Sequence, residues 1–442
     1  MKTRTLLATL LAAALLPLGA RAQNGINDPY SQYGVGSLLG ASSMPWATAY
    51  GGATHTLRGT TFLNPFNPAS YAAIGTQTLV FDMGFNVQMS TLRDPATSQR
   101  DGDANLGYIS MGFPVAKWWK MAVGMMQFSN VDYSSVQGAR SDLFDTMSTR
   151  YEGYGGLNRL YWGHGFHLGQ RLSLGVNANL LVGSITRAIT YDFAQGDSAA
   201  FLDSRKQKAT RVRNLTFDFG AQYRLPLGER HSLNLALTMR TPQTMRVQDN
   251  AMIYTYITNG GLEYLRDTIF PARGGEGAFT STLKQPLSIG LGLGLERNDL
   301  WQTALDITYA PWSGMKYAEQ DHLAILGRGA LAYGNNSRVS MGLRWMGDKA
   351  SSHYLRRMEY SGGLHLEQGK LRLALQDGKE SSVNEWGIGA GVAFPMRKGR
   401  SALRLSLSYT SMGSPSMLRH NYFVIGLSMG SSDTWFLKRK YE

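Results

Sequence analysis

Near its C-terminus the chain carries a Gly-x-Ser-x-Gly pattern, which in many hydrolases presents a nucleophilic serine. The pattern reads Gly426-Leu427-Ser428-Met429-Gly430. In those enzymes the serine stands on a sharp turn between a strand and a helix. Here the pattern lies inside a stretch of alternating apolar and polar residues, and no helical periodicity follows it. We therefore expect Ser428 to be a strand residue. The sequence shows no set of an acid, a base and a nucleophile that could act together. We therefore predict that the protein is not an enzyme.

Two further patterns could bind a metal ion. Residues 101–105 read Asp-Gly-Asp-Ala-Asn, like the start of a calcium loop, but Gly112 stands where an EF-hand needs its last carboxylate. This excludes an EF-hand and leaves open only a weak divalent-cation site in an outer loop. His164 and His167 are three residues apart on a predicted strand, so they point to opposite faces and do not share a metal. We predict no cofactor and no built metal site.

A set of charged residues falls on the polar face of several predicted strands. These residues could line a path for a solute, or they could pair with one another or with a plug inside the protein. The set consists of Asp82, Asp218, Arg240, Asp306, Arg344 and Arg404.

The elements that carry these residues are predicted β-strands with a strict period of two. In residues 401–410, Leu403, Leu405 and Leu407 point one way, while Arg404 and Ser406 point the other. The pattern returns about fourteen times, often over nine or ten residues, which is the length that a tilted membrane strand needs. The alternative is a soluble sandwich or solenoid, whose strands are shorter. We predict an all-β fold, a transmembrane antiparallel β-barrel of about 14 strands.

The start of the chain and its composition agree with an exported barrel. Lys2 and Arg4 precede an apolar run, and residues 20–22 form a small-residue cleavage site, so residues 1–22 are a predicted signal peptide. No later stretch reaches the roughly 18 apolar residues of a membrane helix. Charged residues make up only 17%, Gly is abundant at 51, and there is no Cys, which excludes disulfides and thiolate chemistry. We therefore expect the protein to be located in the outer membrane of a Gram-negative-type bacterium.

The net charge constrains the partners. It is +13 for the full chain and falls to +10 when Lys2, Arg4 and Arg21 leave with the signal peptide. The basic residues form no stripe interleaved with aromatics, so we expect no nucleic acid as partner. Outer-membrane lipid and the phosphates of lipopolysaccharide are the expected partners of this charge.

The predicted connections alternate in length. Short turns near 168–170 and 225–230 contrast with long links near 131–156, 185–210 and 248–282. Short periplasmic turns and long outer loops are typical of outer-membrane barrels, and they place both termini in the periplasm. Tryptophans near strand ends fit interfacial girdles. They include Trp118, Trp119, Trp162, Trp301, Trp312 and Trp345.

Residues 23–77 precede the first strand and break the alternation. They are rich in Gly, Pro and Ser but also contain Trp46, Phe62 and Tyr71, more apolar content than a disordered tail needs. We predict a hatch or plug segment at 23–77, the barrel at 78–430 and a periplasmic tail at 431–442. Lumen-facing glycines would let the backbone of the plug approach the wall closely. Those glycines are Gly290, Gly292, Gly294, Gly387, Gly389 and Gly391.

A family resemblance rests on the end of this segment. The stretch Asn64-Pro65-Phe66-Asn67-Pro68-Ala69-Ser70-Tyr71 resembles the Asn-Pro-Ala signature before the first strand of FadL-type outer-membrane transporters, and residues 435–440, Trp-Phe-Leu-Lys-Arg-Lys, resemble a poorly characterised FadL-like branch. The resemblance implies fourteen strands, an N-terminal hatch domain in the lumen and transport of hydrophobic compounds. It assigns hatch roles to Asn64, Pro65, Phe66, Asn67, Pro68, Ala69 and Tyr71.

Two functions follow as alternatives. The first is a passive diffusion channel for small hydrophobic or amphipathic compounds such as fatty acids, with such a molecule as ligand. The second is a non-transporting barrel subunit of an outer-membrane protein secretion or assembly complex, with an outer-membrane protein as partner.

Overall fold

The computed structural model describes most of the chain between residues 27 and 434. The described ranges are 27–93, 97–141, 144–193, 201–259, 262–270, 278–297, 300–314, 332–348, 350–374, 380–396, 400–413 and 418–434. The predicted signal peptide and the predicted C-terminal motif at 435–440 lie outside these residues. Among the described residues, no helix has the length and apolar character needed to cross a membrane.

The fold is a closed antiparallel barrel of 14 strands. The strands of the chain are β1 (Ser37–Leu38), β2 (Thr78–Arg93), β3 (Ser98–Pro114), β4 (Trp119–Ser141), β5 (Phe144–Leu168), β6 (Leu172–Phe193), β7 (Asp203–Leu227), β8 (His231–Arg240), β9 (Gln243–Asn259), β10 (Leu262–Ile269), β11 (Ala278–Gln285), β12 (Ser288–Arg297), β13 (Trp301–Ala310), β14 (Ala332–Tyr333), β15 (Asn336–Trp345), β16 (Glu359–Ala374), β17 (Glu380–Met396), β18 (Ser401–Met412) and β19 (Arg419–Thr434). Fourteen of these strands form the ring, and β1, β9, β10, β11 and β14 are additional to it. The barrel closes where β19 pairs with β2, from Thr434 opposite Thr78 to Arg419 opposite Arg93. The predicted fold class is confirmed.

The two faces of each barrel strand differ as the alternation predicts. On β18, Leu405 is 37% exposed on the outside, whereas its neighbour Ser406 is 3% exposed on the inside. The same outward apolar rows continue on β12 and β15, for example at Leu291 and Met341. An outer surface of this kind is stable only against lipid, because in water it would expose a continuous apolar belt.

The predicted long outer loops are wrong over much of their length, because the barrel strands continue through them. β4 and β5 remain paired from Trp119 opposite Phe166 to Ser141 opposite Phe144. β6 and β7 likewise pair up to Tyr191 opposite Ser204. Outside the membrane one face of a strand no longer needs to be apolar, so the backbone ladder extends without the alternation that identifies strands in a sequence.

Two local predictions also need correction. Trp312, predicted for an interfacial girdle, is buried in an apolar cluster with Val35, Val212 and Leu283. The Asp-Gly-Asp-Ala-Asn stretch at 101–105 lies within strand β3 rather than in an outer loop. A strand spaces successive side chains on opposite faces, so this stretch does not form a cation loop.

One group of strands extends the barrel wall at one end. β9 continues β8 and pairs with β7, while the returning β10 and β11 both pair with β9 and lead into β12. Among the described residues, β10 pairs with β9 only. This end of the barrel is called the extended end below, and the opposite end, with the short links at 115–118, 169–171 and 228–230, is called the turn end.

Residues 27–77, called the N-terminal segment below, pack against the inner wall of the barrel. They contain an α-helix, Pro45–Ala49, and short 3₁₀ turns at Pro29–Gln32, Gly40–Ser43 and Pro68–Ala73. Their apolar side chains form cores with wall residues on β3, β4 and β13. At the level of these contacts the lumen is therefore filled by protein.

Candidate functional site: the lumen and the N-terminal segment

The Asn-Pro motif folds the N-terminal segment onto itself. The Asn64 side-chain amide donates to the carbonyls of Thr54 (2.6 Å) and Leu57 (3.0 Å). Asn67 caps the 3₁₀ turn that follows, because its Oδ1 accepts from the Ala69 amide at 3.1 Å, while its Nδ2 donates to His55 O at 2.7 Å. Asn fits both sites because its amide offers a donor and an acceptor. The motif thus builds a compact loop.

The same motif also fastens this loop to the barrel wall. The Tyr71 hydroxyl lies 3.1 Å from Asn177 Oδ1, and Asn177 Nδ2 donates to Pro65 O at 2.9 Å. Ala69 and Asn67 have no exposed surface, and Pro68 lies against Gly175 of β6. Phe66 lies under the Arg159 guanidinium, 6.0 Å from ring centroid to Cζ. All seven residues predicted for the hatch lie in this region.

Wall glycines allow the close approach that the sequence predicts. A Cβ on Gly389 would lie 2.0 Å from Thr48 O, and one on Gly391 would lie 2.6 Å from Ala49 Cβ. A Cβ added at Gly290 or Gly292 would likewise lie too close to the side chain of His55. Gly294 meets Thr56, whereas Gly387 faces His365 of the wall itself. The N-terminal segment lies against five of the six glycines, with its backbone at Gly389 and with side chains at the other four.

Four of the six predicted lumen charges form two buried clusters with partners. Asp218 accepts from Arg240 Nε at 2.9 Å and from Arg159 Nη1 at 3.2 Å. Asp82, with no exposed surface, lies 3.7 Å from Arg404 Nη1. Arg404 also donates to Thr61 O at 3.1 Å, so this pair holds the N-terminal segment.

The remaining lumen charges also touch the N-terminal segment. Asp306 Oδ2 accepts from the His55 amide at 2.7 Å. Arg344 pairs with Glu359. Its guanidinium lies 5.4 Å from the centre of the Phe62 ring, and Arg404 lies 5.3 Å from the same ring. The geometry therefore pairs these charges with one another and with the segment, which was one of the two alternatives.

Sequence reasoning missed several lumen residues that make equivalent contacts. Arg159 bridges Asp218 and Phe66, and His420 lies against Asp28. Arg159 falls on the polar face of the stretch that contains Leu160 and Trp162, so the polar-face rule identifies it. His420 begins the last strand, where the alternation is weakest, and carries no such signal.

A cavity of about 510 Å³ lies between the N-terminal segment and the extended end of the barrel. Its apolar side is formed by Tyr30, Leu371 and Val383, which also pack together as a small core. Two polar pairs lie at another side, Arg338 with Glu367 at 3.0 Å and His365 with Glu385 at 3.0 Å. A cavity with both kinds of lining suits an amphipathic molecule.

The wall of this cavity contains a seam between β3 and β4. These strands pair only from Pro114 opposite Lys120 to Tyr108 opposite Met126, although both continue beyond. The freed edge of β4 is covered by the N-terminal segment, because β1 pairs with residues 129–130. The Asp28 amide donates to Asp132 O at 2.7 Å, and Asn27 Nδ2 donates to Ser134 O at 3.1 Å. Segment 27–39 therefore replaces the missing strand partner.

Asp28 anchors the start of this seam-covering stretch. Its side chain caps the first 3₁₀ turn through the Tyr30 amide, bonds the Ser37 hydroxyl and lies 3.3 Å from His420 Nδ1. Burial by itself raises the pKa of the Asp28 carboxyl, but the hydrogen bond and charge of His420, then Ser37 and Tyr30, together hold that pKa below its ordinary value. The carboxylate is thus the stable form at neutral pH.

The other sequence patterns carry no visible site. The Gly-x-Ser-x-Gly stretch lies inside β19, with Ser428 1% exposed. Trp119 Nε1 donates to His164, whereas His167 faces Ser173 on the inner side. Within the described part of the chain, no three His, Cys, Asp or Glu residues are arranged to bind a metal ion.

Comparisons with known proteins agree with this architecture. The sequence matches the family model BamG over residues 2–442. No curated protein matches the chain. Among solved structures, it is similar to the "CymD monoaromatic hydrocarbon channel", with a TM-score of 0.53 and 14% identity over 90% of this chain and 98% of that one.

Two further solved structures show the same likeness. For the toluene transporter TbuX of Ralstonia pickettii the TM-score is 0.53 at 13% identity, covering 88% of this chain and 97% of that one. For a FadL homologue of Pseudomonas aeruginosa it is 0.51 at 14% identity, covering 89% and 98%. At these identities the likeness concerns the fold.

Proposed function

Because this chain belongs to the BamG family, a FadL-like family, we propose that it is an outer-membrane channel for small hydrophobic or amphipathic compounds, fatty acids among them. The N-terminal segment is its hatch. The compounds named for the similar solved structures, monoaromatic hydrocarbons and toluene, belong to the same broad class.

This proposal rests on the seam between β3 and β4 and on the adjacent cavity, which has an apolar side and a polar side. A ligand from outside would enter the cavity at the extended end, with its apolar part near Leu371 and Val383 and its polar part near Arg338. It would then leave sideways when segment 27–39 separates from β4. Lateral release suits an apolar cargo, because the destination is the lipid phase.

A direct route through the barrel fits less well. Below the cavity the lumen is filled by the N-terminal segment, which is held by the buried Asp82–Arg404 and Asp306–His55 contacts. Opening that route would separate these buried charges from their partners, whereas opening the seam breaks short backbone contacts at the edge of β4 and the contact of Asp28 with His420.

A disulfide lock tests the seam. Ser37 and Asn130 are direct antiparallel partners, so S37C/N130C has suitable geometry, and the chain has no other cysteine. We expect the oxidised variant to lose uptake of oleate and toluene by cells, and reduction to restore it. The control A188C/Q207C joins opposite residues of β6 and β7, away from the seam. Full uptake by the completely cross-linked S37C/N130C protein would contradict lateral release.

A second candidate is a non-transporting subunit of an outer-membrane protein secretion or assembly complex. The observation that favours it is strand β10, which lies outside the lipid-facing belt and carries Leu262, Tyr264, Leu265 and Ile269, each more than half exposed. Exposed apolar clusters on a strand edge are typical of protein contacts.

Affinity purification in mild detergent separates the two candidates. A stoichiometric outer-membrane protein that is lost in L262S/L265S/I269S, but kept in the exposed control V136S, would support the complex. A lone barrel that retains lipid, with uptake unchanged in the β10 variant, would support the channel.

A further inference from the structure

Four basic side chains share one outward patch at the extended end of the barrel. They are exposed and lie on three neighbouring strands, where the wall leaves the lipid-facing belt. They are Arg211 and Arg213 on β7, Arg246 on β9 and Lys284 on β11. These four residues are called the basic patch below.

Strand register brings these cations together. β7 and β9 are paired down to Val212 opposite Val247, and the Asn214 amide then donates to Arg246 O at 3.1 Å, so Arg213 and Arg246 are neighbours across the ladder. Arg246 lies opposite Thr282, two residues from Lys284 on the same face. Adjacent strands are about 4.8 Å apart, so one phosphate group can reach Arg213 and Arg246 together, with Arg211 and Lys284 on either side of them.

The patch is uncompensated within the described residues. None of the four basic residues forms an ion pair with a described residue. The acidic residues of these strands nearest the patch, Asp218 and Asp249, point away from it, because they are buried on the inner face. Like charges placed side by side repel, so an anion that bridges them would lower the energy of this surface.

The position of the patch identifies the type of anion. Arg213 precedes Leu215 by two residues on the outward face, and Leu215 is 53% exposed toward the lipid. Arg213 therefore lies about 7 Å beyond Leu215 along the strand. Longer strand extensions mark the outer side of such barrels, where lipid headgroups meet the protein.

We infer that the basic patch binds the phosphate groups of an outer-leaflet lipopolysaccharide. Arg213 and Arg246 hold a phosphate through paired N–H donors, and Arg211 and Lys284 add charge on either side. The acyl chains of the same molecule lie against the apolar belt below. This site is on the outside of the wall and is independent of any transport through the lumen.

Native mass spectrometry of the purified full chain in non-ionic detergent tests the inference. Wild type should retain phosphorylated lipopolysaccharide, and the same lipid treated with phosphatase should bind about tenfold more weakly. R213A/R246A/K284A should show a loss of about the same size for the phosphorylated lipid. The control K117A/R171A/R230A removes equal charge from exposed positions at the turn end and should bind as wild type does.

Several outcomes would overturn the inference. If both triple variants lose lipopolysaccharide binding equally, binding depends on net charge only. If the phosphatase-treated lipid binds as tightly as the phosphorylated lipid, the patch does not bind the phosphates. Displacement of the lipid by inorganic phosphate at equal concentration would make the site a simple anion site. If the triple variant fails to fold, single R213Q and R246Q variants and a titration of wild type with salt must still weaken binding for the inference to stand.

Discussion

At the scale of single residues, the buried pair Asp82–Arg404 decides how firmly the N-terminal segment is held. Asp82 has no exposed surface and Arg404 is 7% exposed. Removing one partner leaves the other charge buried without compensation, so Arg404→Met should destabilise the barrel by about 3–5 kcal/mol. Urea unfolding in lipid vesicles, followed by gel mobility, measures this change.

Two controls accompany that substitution. The double variant D82N/R404M should recover most of the loss, because no charge remains buried. Arg400→Met removes a comparable pair with Asp433, but both side chains are more than 60% exposed, so the change should be about 0–1 kcal/mol. Equal losses of stability in Arg404→Met and Arg400→Met would mean that the buried pair contributes no more to stability than the exposed pair.

Leu405 tests the lipid-facing assignment at the same scale. It is 37% exposed on the outer surface of β18, so Leu405→Arg should cost about 2–4 kcal/mol near the bilayer midplane. Thr280→Arg, exposed beyond the belt on β11, should fold as wild type does. Equal stability of the two variants in membranes would mean that Leu405 does not face lipid.

At the scale of elements, the helix Pro45–Ala49 depends on glycines in the wall that it contacts. A side chain at Gly389 would collide with the Thr48 carbonyl, so Gly389→Val should push the helix away from β17. Because the helix fills the lumen there, we expect higher single-channel conductance in planar bilayers. Gly138→Val is the matched control, since no atom lies within 4 Å of its added Cβ. A folded Gly389→Val protein with the conductance of the control would contradict this account.

At the scale of the whole molecule, the barrel and the N-terminal segment are two parts of one closed structure. Ala47, Asn67 and Ala69 of the segment have no exposed surface, so the lumen is filled at their level. Deleting residues 24–70 should therefore open a water-filled pore and raise conductance several-fold, in line with the width of a barrel of this size. A peptide with the deleted sequence should lower conductance again. An unchanged conductance in the deletion variant would exclude the hatch role.

The sequence by itself determined the transmembrane barrel, its number of strands and the direction of each face. These follow from local alternation, because residues such as Leu405 and Ser406 see different solvents whatever their partners are. The close contact at Gly389 could also be anticipated, since a strand with glycine on one face leaves room for another backbone.

Only the tertiary structure decided how the lumen is occupied and where strand pairing in the wall is interrupted. The pairing of Arg159 with Asp218, the cover of segment 27–39 on β4 and the meeting of Arg213 with Arg246 all join residues that are distant in the chain. Local patterns report the face of a residue but carry no information on register between strands. The strand extensions beyond the membrane could not be predicted from the sequence for a related reason. Their backbone hydrogen bonds hold them together without the apolar face that makes a strand visible in a sequence.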